Sequence, residues 1–132
     1  MDVEAVNIWA VLVATGLALA LAALWYSPAL FGSIYQRETG YKPGIRSWRL
    51  AIAAILFAFL PAWAFAYWLG PQVDLQKALF HGLLIGVGFV ASSLGLNYQL
   101  VLRSSSLWLI DGGYHVLQFL VYGLVFAYWP AA

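Results

Sequence analysis

The sequence has no cysteine and very few charged residues. The lack of cysteine excludes disulfides, thiolate catalysis and cysteine-based metal sites. Charged residues make up 8% of the 132 residues and the net charge is +1, so nucleic acid is not expected as a partner. Asp, Glu, Lys and Arg are all absent from four long stretches, 5–36, 50–73, 78–102 and 112–132.

Each uncharged stretch is dominated by Ala, Leu, Ile, Val and aromatic residues, and each is long enough to cross about 30 Å of hydrocarbon. The sequence therefore predicts an all-α, polytopic transmembrane four-helix bundle that forms a single domain over residues 1–132. We expect the helices at about 7–28, 48–69, 75–102 and 107–129. The N-terminus is acidic, where a secretory signal would be basic, which favours a retained first span.

The only sizeable loop is 31–47, which follows the first helix. Its first residues place Phe31, Ile34 and Tyr35 on one face if the chain is helical there, which predicts a short segment lying along the cytoplasmic interface. Gly40, and then Pro43 and Gly44 beyond it, are typical of a turn that leads back into the membrane.

Basic residues concentrate at the first and third connections: Arg37, Lys42 and Arg46 are in the first, Arg49 is at the start of the helix that follows it, and Arg103 is in the third. This excess predicts that both connections are cytoplasmic and that both termini are outside, in the inner membrane if the host is bacterial. The basic residues either hold this orientation or contact anionic headgroups of the surrounding membrane lipids. Aromatic residues near the helix ends, Tyr98 among them, are typical of belts at the two membrane surfaces.

Small residues recur at every fourth position on three helices. Such lanes let two membrane helices approach closely, either within one chain or between copies, although Ala is common in such helices in any case. The predicted packing residues are Ala10, Ala14, Ala18, Ala22, Ala54, Ala58, Ala62, Ala66, Gly82 and Gly86. The third helix is the richest in glycine and has no Trp, so we expect it to be the most buried helix.

One stretch of sequence resembles a known family. The run Leu24-Trp25-Tyr26-Ser27-Pro28-Ala29-Leu30-Phe31-Gly32, followed by Thr39-Gly40, resembles the opening signature of the small membrane family called domain of unknown function 1761. The run Gly88-Phe89-Val90-Ala91 with Asn97, and the pair Gly113-Tyr114, are similar to that family's third and fourth spans. The resemblance implies a compact four-helix integral membrane protein without an established activity.

A few polar residues fall inside the predicted spans. Asn97 and Asp111 lie at comparable depth, about 10 Å to the cytoplasmic side of the midplane, and His115 shares the face of Asp111 one turn deeper. We expect an inward-facing polar pocket formed by Tyr26, Ser27, Asn97, Arg103, Asp111, His115 and Gln118, with Tyr98 and Gln99 from the same half of the membrane.

An ionised Asp111 within the membrane needs a partner, and His115 or Arg103 are the candidates within the chain. The alternative is that Asp111 caps the start of the last helix close to water. Asp111 and His115 supply at most two metal ligands, and His81 lies about 15 to 20 Å away in depth, so no metal site is indicated. No cofactor is expected.

Three classes of function stay open. The first is a structural or interaction bundle that self-associates into a homo-oligomer or serves as an accessory subunit of a larger membrane complex. The second is an oligomeric transporter of small solutes or ions, or a binder of lipid-like ligands, that uses the polar pocket. The third is a membrane enzyme with Asp111 and His115 as acid and base and Ser92 or Ser93 as nucleophile, but no recognised catalytic spacing supports it.

Overall fold

The computed structural model describes residues 6–41 and 48–129, and within them the chain is helical without strands. Four helices are long and apolar enough to span a membrane. We call them span 1 (Ile8–Trp25), span 2 (Trp48–Leu69), span 3 (Leu75–Leu100) and span 4 (Ser105–Tyr128). The fold is therefore the predicted all-α transmembrane bundle.

A fifth, short helix (Gly32–Thr39) follows span 1, so the segment expected there is helical. It ends at Gly40, whose φ of 73° lies in the left-handed region that glycine adopts without steric cost. The predicted turn at Pro43 and Gly44 lies outside the described residues, as do the basic residues Lys42 and Arg46.

Three of the spans have a side-chain cap at their N-terminus. Asn7 Oδ1 accepts hydrogen bonds from the backbone N–H groups of Trp9 and Ala10, and Asp74 Oδ1 accepts one from Lys77. Ser104 Oγ accepts the N–H of Leu107 at the start of span 4. Each bond satisfies a donor that the first helical turn would otherwise leave unpaired.

Span 4 is the central helix of the bundle. It packs against span 3 over most of its length, against span 1, and to a smaller extent against span 2. Of the most apolar window of span 4, 44% of the residues are buried, compared with 17% for spans 2 and 3. The expectation that the third helix would be the most buried is wrong, because its glycines allow close contact on one side while no other span covers its opposite side.

The core lies where spans 1, 2 and 4 meet, with one residue contributed by the start of span 3. Alanines from spans 1 and 2 surround large aromatic rings of span 4, and the Phe65 and Phe119 rings meet edge to face with centroids 5.4 Å apart. The buried cluster comprises Ala10, Val11, Ala14, Ala18, Ala62, Phe65, Leu69, Val73, Ala78, Phe119, Tyr122 and Phe126.

Spans 3 and 4 touch through their backbones. A Cβ atom added at Gly82 would lie 2.9 Å from the carbonyl oxygen of Phe119, and one added at Gly86 would lie 2.8 Å from Cα of Val116. On span 4, a Cβ atom at Gly123 would lie 2.9 Å from the carbonyl oxygen of Ala78. Only glycine fits at these three positions, which is the close approach that small residues permit between membrane helices.

Span 3 contains a π-helical segment, Gly86–Ala91, that the sequence pattern did not predict. At its end the indole Nε1–H of Trp108 donates a 2.8 Å hydrogen bond to the carbonyl oxygen of Ala91. A wider helical turn changes which carbonyls find a partner along the helix, and a side-chain donor from a neighbouring helix satisfies one of them.

Candidate functional site

The signature run that follows span 1 folds into a tight turn. The backbone N–H of Phe31 donates to the carbonyl oxygen of Trp25 at 3.1 Å, and that of Gly32 donates to Ser27 at 2.9 Å. A Cβ atom at Gly32 would lie 2.5 Å from the carbonyl oxygen of Tyr26, so glycine is required where the chain crosses itself. The ring of Phe31 packs on that of Trp25, with centroids 4.6 Å apart.

This turn places two side chains in contact with span 4. The indole Nε1–H of Trp25 donates a 2.9 Å hydrogen bond to the carbonyl oxygen of Ile110, and the hydroxyl of Tyr26 donates a 2.5 Å hydrogen bond to Oδ1 of Asp111. Gly113 leaves room for the indole, since a Cβ atom there would lie 3.3 Å from the Trp25 ring. The turn therefore fastens the end of span 1 to the first half of span 4.

Asp111 joins three parts of the bundle. While Oδ1 accepts the hydroxyl of Tyr26, Oδ2 accepts the hydroxyl of Tyr98 from span 3. Each carboxyl oxygen therefore has one phenol partner, and Asp111 links the turn after span 1 and span 3 to span 4.

More aromatic rings surround this carboxylate. The ring of Tyr35, from the short helix, meets that of Tyr26 with centroids 4.9 Å apart. The centroid of the Tyr114 ring lies 5.7 Å from that of Tyr26. Burial, followed by the hydrogen bond and the charge of Asp111, raises the pKa of Tyr26. Burial and the same charge raise the pKa of Tyr35, so both phenols stay protonated at neutral pH.

A second polar chain runs along span 4 from His115. Nδ1 of His115 lies 2.7 Å from Oε1 of Gln118, whose Nε2 donates to the hydroxyl of Tyr122 at 2.7 Å. The Tyr122 hydroxyl donates in turn to the backbone carbonyl oxygen of Ala58 in span 2 at 2.6 Å. Gln118 and Tyr122 are buried, so this chain links spans 2 and 4 inside the core.

The expected polar pocket is divided between these two clusters. Tyr26 and Asp111 are in the first cluster, and His115 and Gln118 are in the second. Ser27 and Arg103 take no part in either. The hydroxyl of Ser27 donates to the carbonyl oxygen of Leu24 at the end of span 1, and Nη1 of Arg103 donates to the carbonyl oxygen of Glu38 at 3.4 Å.

Asn97 is exposed on span 3. The expectation that the two residues would line one pocket is wrong, because the Asn97 side chain is on the outer face of the helix whereas Tyr98, the next residue, reaches the carboxylate. Successive residues of a helix point about 100° apart, so depth alone does not determine which of two neighbours faces the bundle.

The expected partners of Asp111 are also wrong. His115 bonds to Gln118 and Arg103 bonds to the main chain of the short helix, while two tyrosines bind the carboxylate. The alternative that Asp111 caps span 4 fails as well, because Ser104 is the cap and Asp111 lies well inside the helix.

Tyr98, which the sequence places in the same half of the membrane as the pocket, is in the first cluster. Tyr122 is not among the residues expected in the pocket. Tyr122 follows Gln118 by four residues, so extending the polar stripe of span 4 by one more turn would have found it. Nothing in the sequence pairs Tyr98 with Asp111, because that contact depends on how spans 3 and 4 cross.

Most of the small-residue lanes lie inside the bundle. Five alanines are buried, Ala22 and Ala66 are partly buried, and Ala54 is exposed; the buried ones are Ala10, Ala14, Ala18, Ala58 and Ala62. Gly82 and Gly86 are buried against span 4. The carbonyl oxygen of Ala18 also accepts a 3.0 Å hydrogen bond from the hydroxyl of Tyr114.

The residues that an enzyme would need are apart. Ser92 and Ser93 are exposed on span 3, whereas His115 is engaged by Gln118 and Asp111 by two phenols. Among residues 6–41 and 48–129, no group of three or more His, Cys, Asp or Glu side chains could hold a metal ion.

Comparison with known proteins gives one match. A family model described as "Protein of unknown function (DUF1761)" matches residues 9–127, which include both polar clusters and all four spans except the single residue at each outer end. The chain matches none of the curated proteins and none of the solved structures.

Proposed function

The chain belongs to the DUF1761 family, and from this premise we propose that it is a membrane interaction bundle that associates with a second copy of itself through the outer face of span 3. An accessory subunit of a larger membrane complex is the alternative, in which the same face meets a different partner. Membrane lipids cover the remaining apolar surface.

The uneven burial of the spans supports this proposal. Spans 2 and 3 each have 17% of their most apolar window buried, so most of their surface is left to lipid or to another protein. In lipid, apolar surface alone gives no reason for helices to associate, and the composition of the exposed faces therefore becomes informative.

The outer face of span 3 contains small and polar residues at helix-packing spacing, and this observation carries the proposal. Gly88 and Ser92 are both exposed at a spacing of four residues, and Ser93 and Asn97 form a second exposed pair at the same spacing beside them. Small residues at this spacing let a neighbouring helix approach closely, and the amide of Asn97 donates and accepts, so two copies can pair through it.

The absence of cysteine allows a direct test. A single Ser92→Cys substitution places one thiol on the proposed face, and Ala20→Cys provides a matched control because Ala20 is a small, exposed residue on span 1. We expect oxidation in native membranes to give a disulfide-linked dimer of the Ser92→Cys variant and not of the control.

Equal crosslinking of both variants, or none of either, would contradict self-association through span 3. A crosslink from Ser92→Cys to a different protein would select the accessory subunit. Asn97→Ala is expected to reduce dimer yield, since it removes the polar pair while the small residues stay.

The orientation follows from the charge asymmetry, and we propose that both termini face the outside. The two described chain ends lie together, since Nδ2 of Asn7 donates a 3.4 Å hydrogen bond to the carbonyl oxygen of Trp129. The residue Gln72, between spans 2 and 3, should then react from outside as Gln72→Cys with an impermeant maleimide. Ser33→Cys, on the short helix, should react only after the membrane is opened, and the reverse pattern would contradict the proposal.

A further inference from the structure

The hydrogen-bond chain of His115 has only one consistent direction. It ends at the carbonyl oxygen of Ala58, which can only accept, so the single hydroxyl proton of Tyr122 must point at that oxygen. Tyr122 therefore has only lone pairs to offer Gln118, and the group that faces it must be the Nε2 amide donor. Gln118 in turn presents Oε1 to His115.

This direction determines where the proton of His115 lies. An amide oxygen only accepts, so Nδ1 of His115 must carry the proton in the 2.7 Å bond. In the neutral ring the lone pair is then on Nε2. His81 has the opposite arrangement, because its Nδ1 accepts a 3.2 Å hydrogen bond from the indole Nε1–H of Trp68, a group that can only donate.

The neighbour of His115 on the same face is also an acceptor. Asp111 lies four residues earlier, one helical turn away, and each of its two carboxyl oxygens accepts one phenol hydroxyl. Both His115 and Asp111 are partly exposed. Residues 48–57, the first half of span 2, are likewise exposed except for the partly buried Ala53.

We propose that Asp111 and Nε2 of His115 form a binding site for a small primary ammonium ion. Both groups offer lone pairs and neither offers a proton, so the face attracts a ligand that donates hydrogen bonds and disfavours anions. The acidic side chain of Asp111, which has no basic partner among its hydrogen bonds to Tyr26 and Tyr98, favours a cation among the donors. This site is independent of association through span 3.

Nitrogen NMR of the protein labelled with ¹⁵N-histidine, in lipid nanodiscs, tests the first step. We expect a protonated Nδ1 and an unprotonated Nε2 for His115, and the reverse for His81, with His81→Gln used to assign the signals. Tyr122→Phe removes the hydroxyl that fixes the direction of these hydrogen bonds and should allow both tautomers of His115. Tyr128→Phe, at an exposed residue, should leave the spectrum unchanged. A proton on Nε2 in the unmodified protein would overturn the assignment.

Two salts test the ligand class. Methylammonium chloride should shift the Nε2 resonance of His115, whereas tetramethylammonium chloride, with the same charge and no N–H donor, should not. Asp111→Asn should weaken the methylammonium response roughly tenfold or more, as expected for a hydrogen bond to a charged group. No response to methylammonium, or an equal response to both salts, would overturn the proposed site. Both salts are tested on the protein without substitutions.

Discussion

Span 4 meets span 3 through glycine and meets spans 1 and 2 through tyrosine. On the span 3 side, Gly82, Gly86 and Gly123 bring the two backbones into direct contact. On the other side, the hydroxyls of Tyr114 and Tyr122 reach across to backbone carbonyl oxygens of spans 1 and 2. In these contacts span 4 is held against span 3 by close van der Waals packing and against spans 1 and 2 by hydrogen bonds from bulky side chains, while Trp108 and Tyr98 add hydrogen bonds between spans 3 and 4 nearer the start of span 4.

The difference shows two solutions to one problem. Lipid chains are as apolar as leucine, so helices in a membrane gain little by burying apolar side chains alone. Glycine brings main chains close enough for dispersion contacts, while tyrosine fills a wider gap and places a donor at an acceptor within it. Breaking each side separately should show which contributes more to stability.

The glycine side should be the more sensitive. Gly82→Ala places a Cβ atom 2.9 Å from a backbone oxygen that cannot move independently, so spans 3 and 4 must separate. We expect the free energy of unfolding to fall by about 1 to 3 kcal/mol. Gly16→Ala is the matched control, because a Cβ atom there meets nothing within 4 Å and should raise helix stability by up to about 1 kcal/mol. Reversible unfolding in mixed micelles measures both, and equal effects would contradict the close contact.

The tyrosine side should respond to loss of a single hydroxyl. Tyr122→Phe keeps the ring but leaves the Gln118 amide and the Ala58 carbonyl without this partner, so we expect a loss of about 1 to 2 kcal/mol. Tyr128→Phe, at a largely exposed residue, should change the free energy of unfolding by less than about 0.5 kcal/mol. If the two substitutions had the same effect, the polar chain would contribute nothing to stability.

Asp111 connects the two sides, and a double-mutant cycle sharpens the comparison. Tyr26→Phe removes the donor from the span 1 side and Tyr98→Phe the donor from the span 3 side. Because both phenols bind one carboxylate, the two losses should not add, and we expect a coupling energy of about 0.5 to 2 kcal/mol. Additive losses in thermal unfolding would show that the two phenols act independently.

The smallest effect concerns the link between spans 3 and 4. Leu102 has a φ of 56°, in the left-handed region that costs a side chain about 1 kcal/mol, and its side chain is 90% exposed. Leu102→Gly should therefore leave the free energy of unfolding unchanged or raise it by up to about 1 kcal/mol. Leu100→Gly, in the helix just before it, should lower it by a similar amount. Destabilisation of equal size by both would argue against strain at Leu102.

Much of the fold could be predicted from the sequence. Runs of 20 or more uncharged residues can be solvated by hydrocarbon only as helices whose backbone bonds are internal, so the four spans follow from composition. The apolar face of Phe31, Ile34 and Tyr35 also predicted a short segment after span 1, and Gly32 is required at its start because the chain crosses Tyr26 there.

The polar clusters were predicted only in part. The pairing of His115 with Gln118, three residues apart, lies within one helix, and Tyr122 follows Gln118 by four residues. The partners of Asp111 come from residues 85 and 13 positions away, and no periodicity along one helix encodes such contacts.

The amino-acid sequence by itself determined which segments are apolar enough to be surrounded by lipid, and hence the number, length and helical form of the spans. Only the tertiary structure decided which span is central, that Tyr98 rather than Asn97 meets Asp111, and in which direction the hydrogen bonds of His115 run. The physical reason is that partition into lipid depends on the composition of a segment, whereas hydrogen-bond partners depend on the rotation and crossing of helices that lie far apart in the chain.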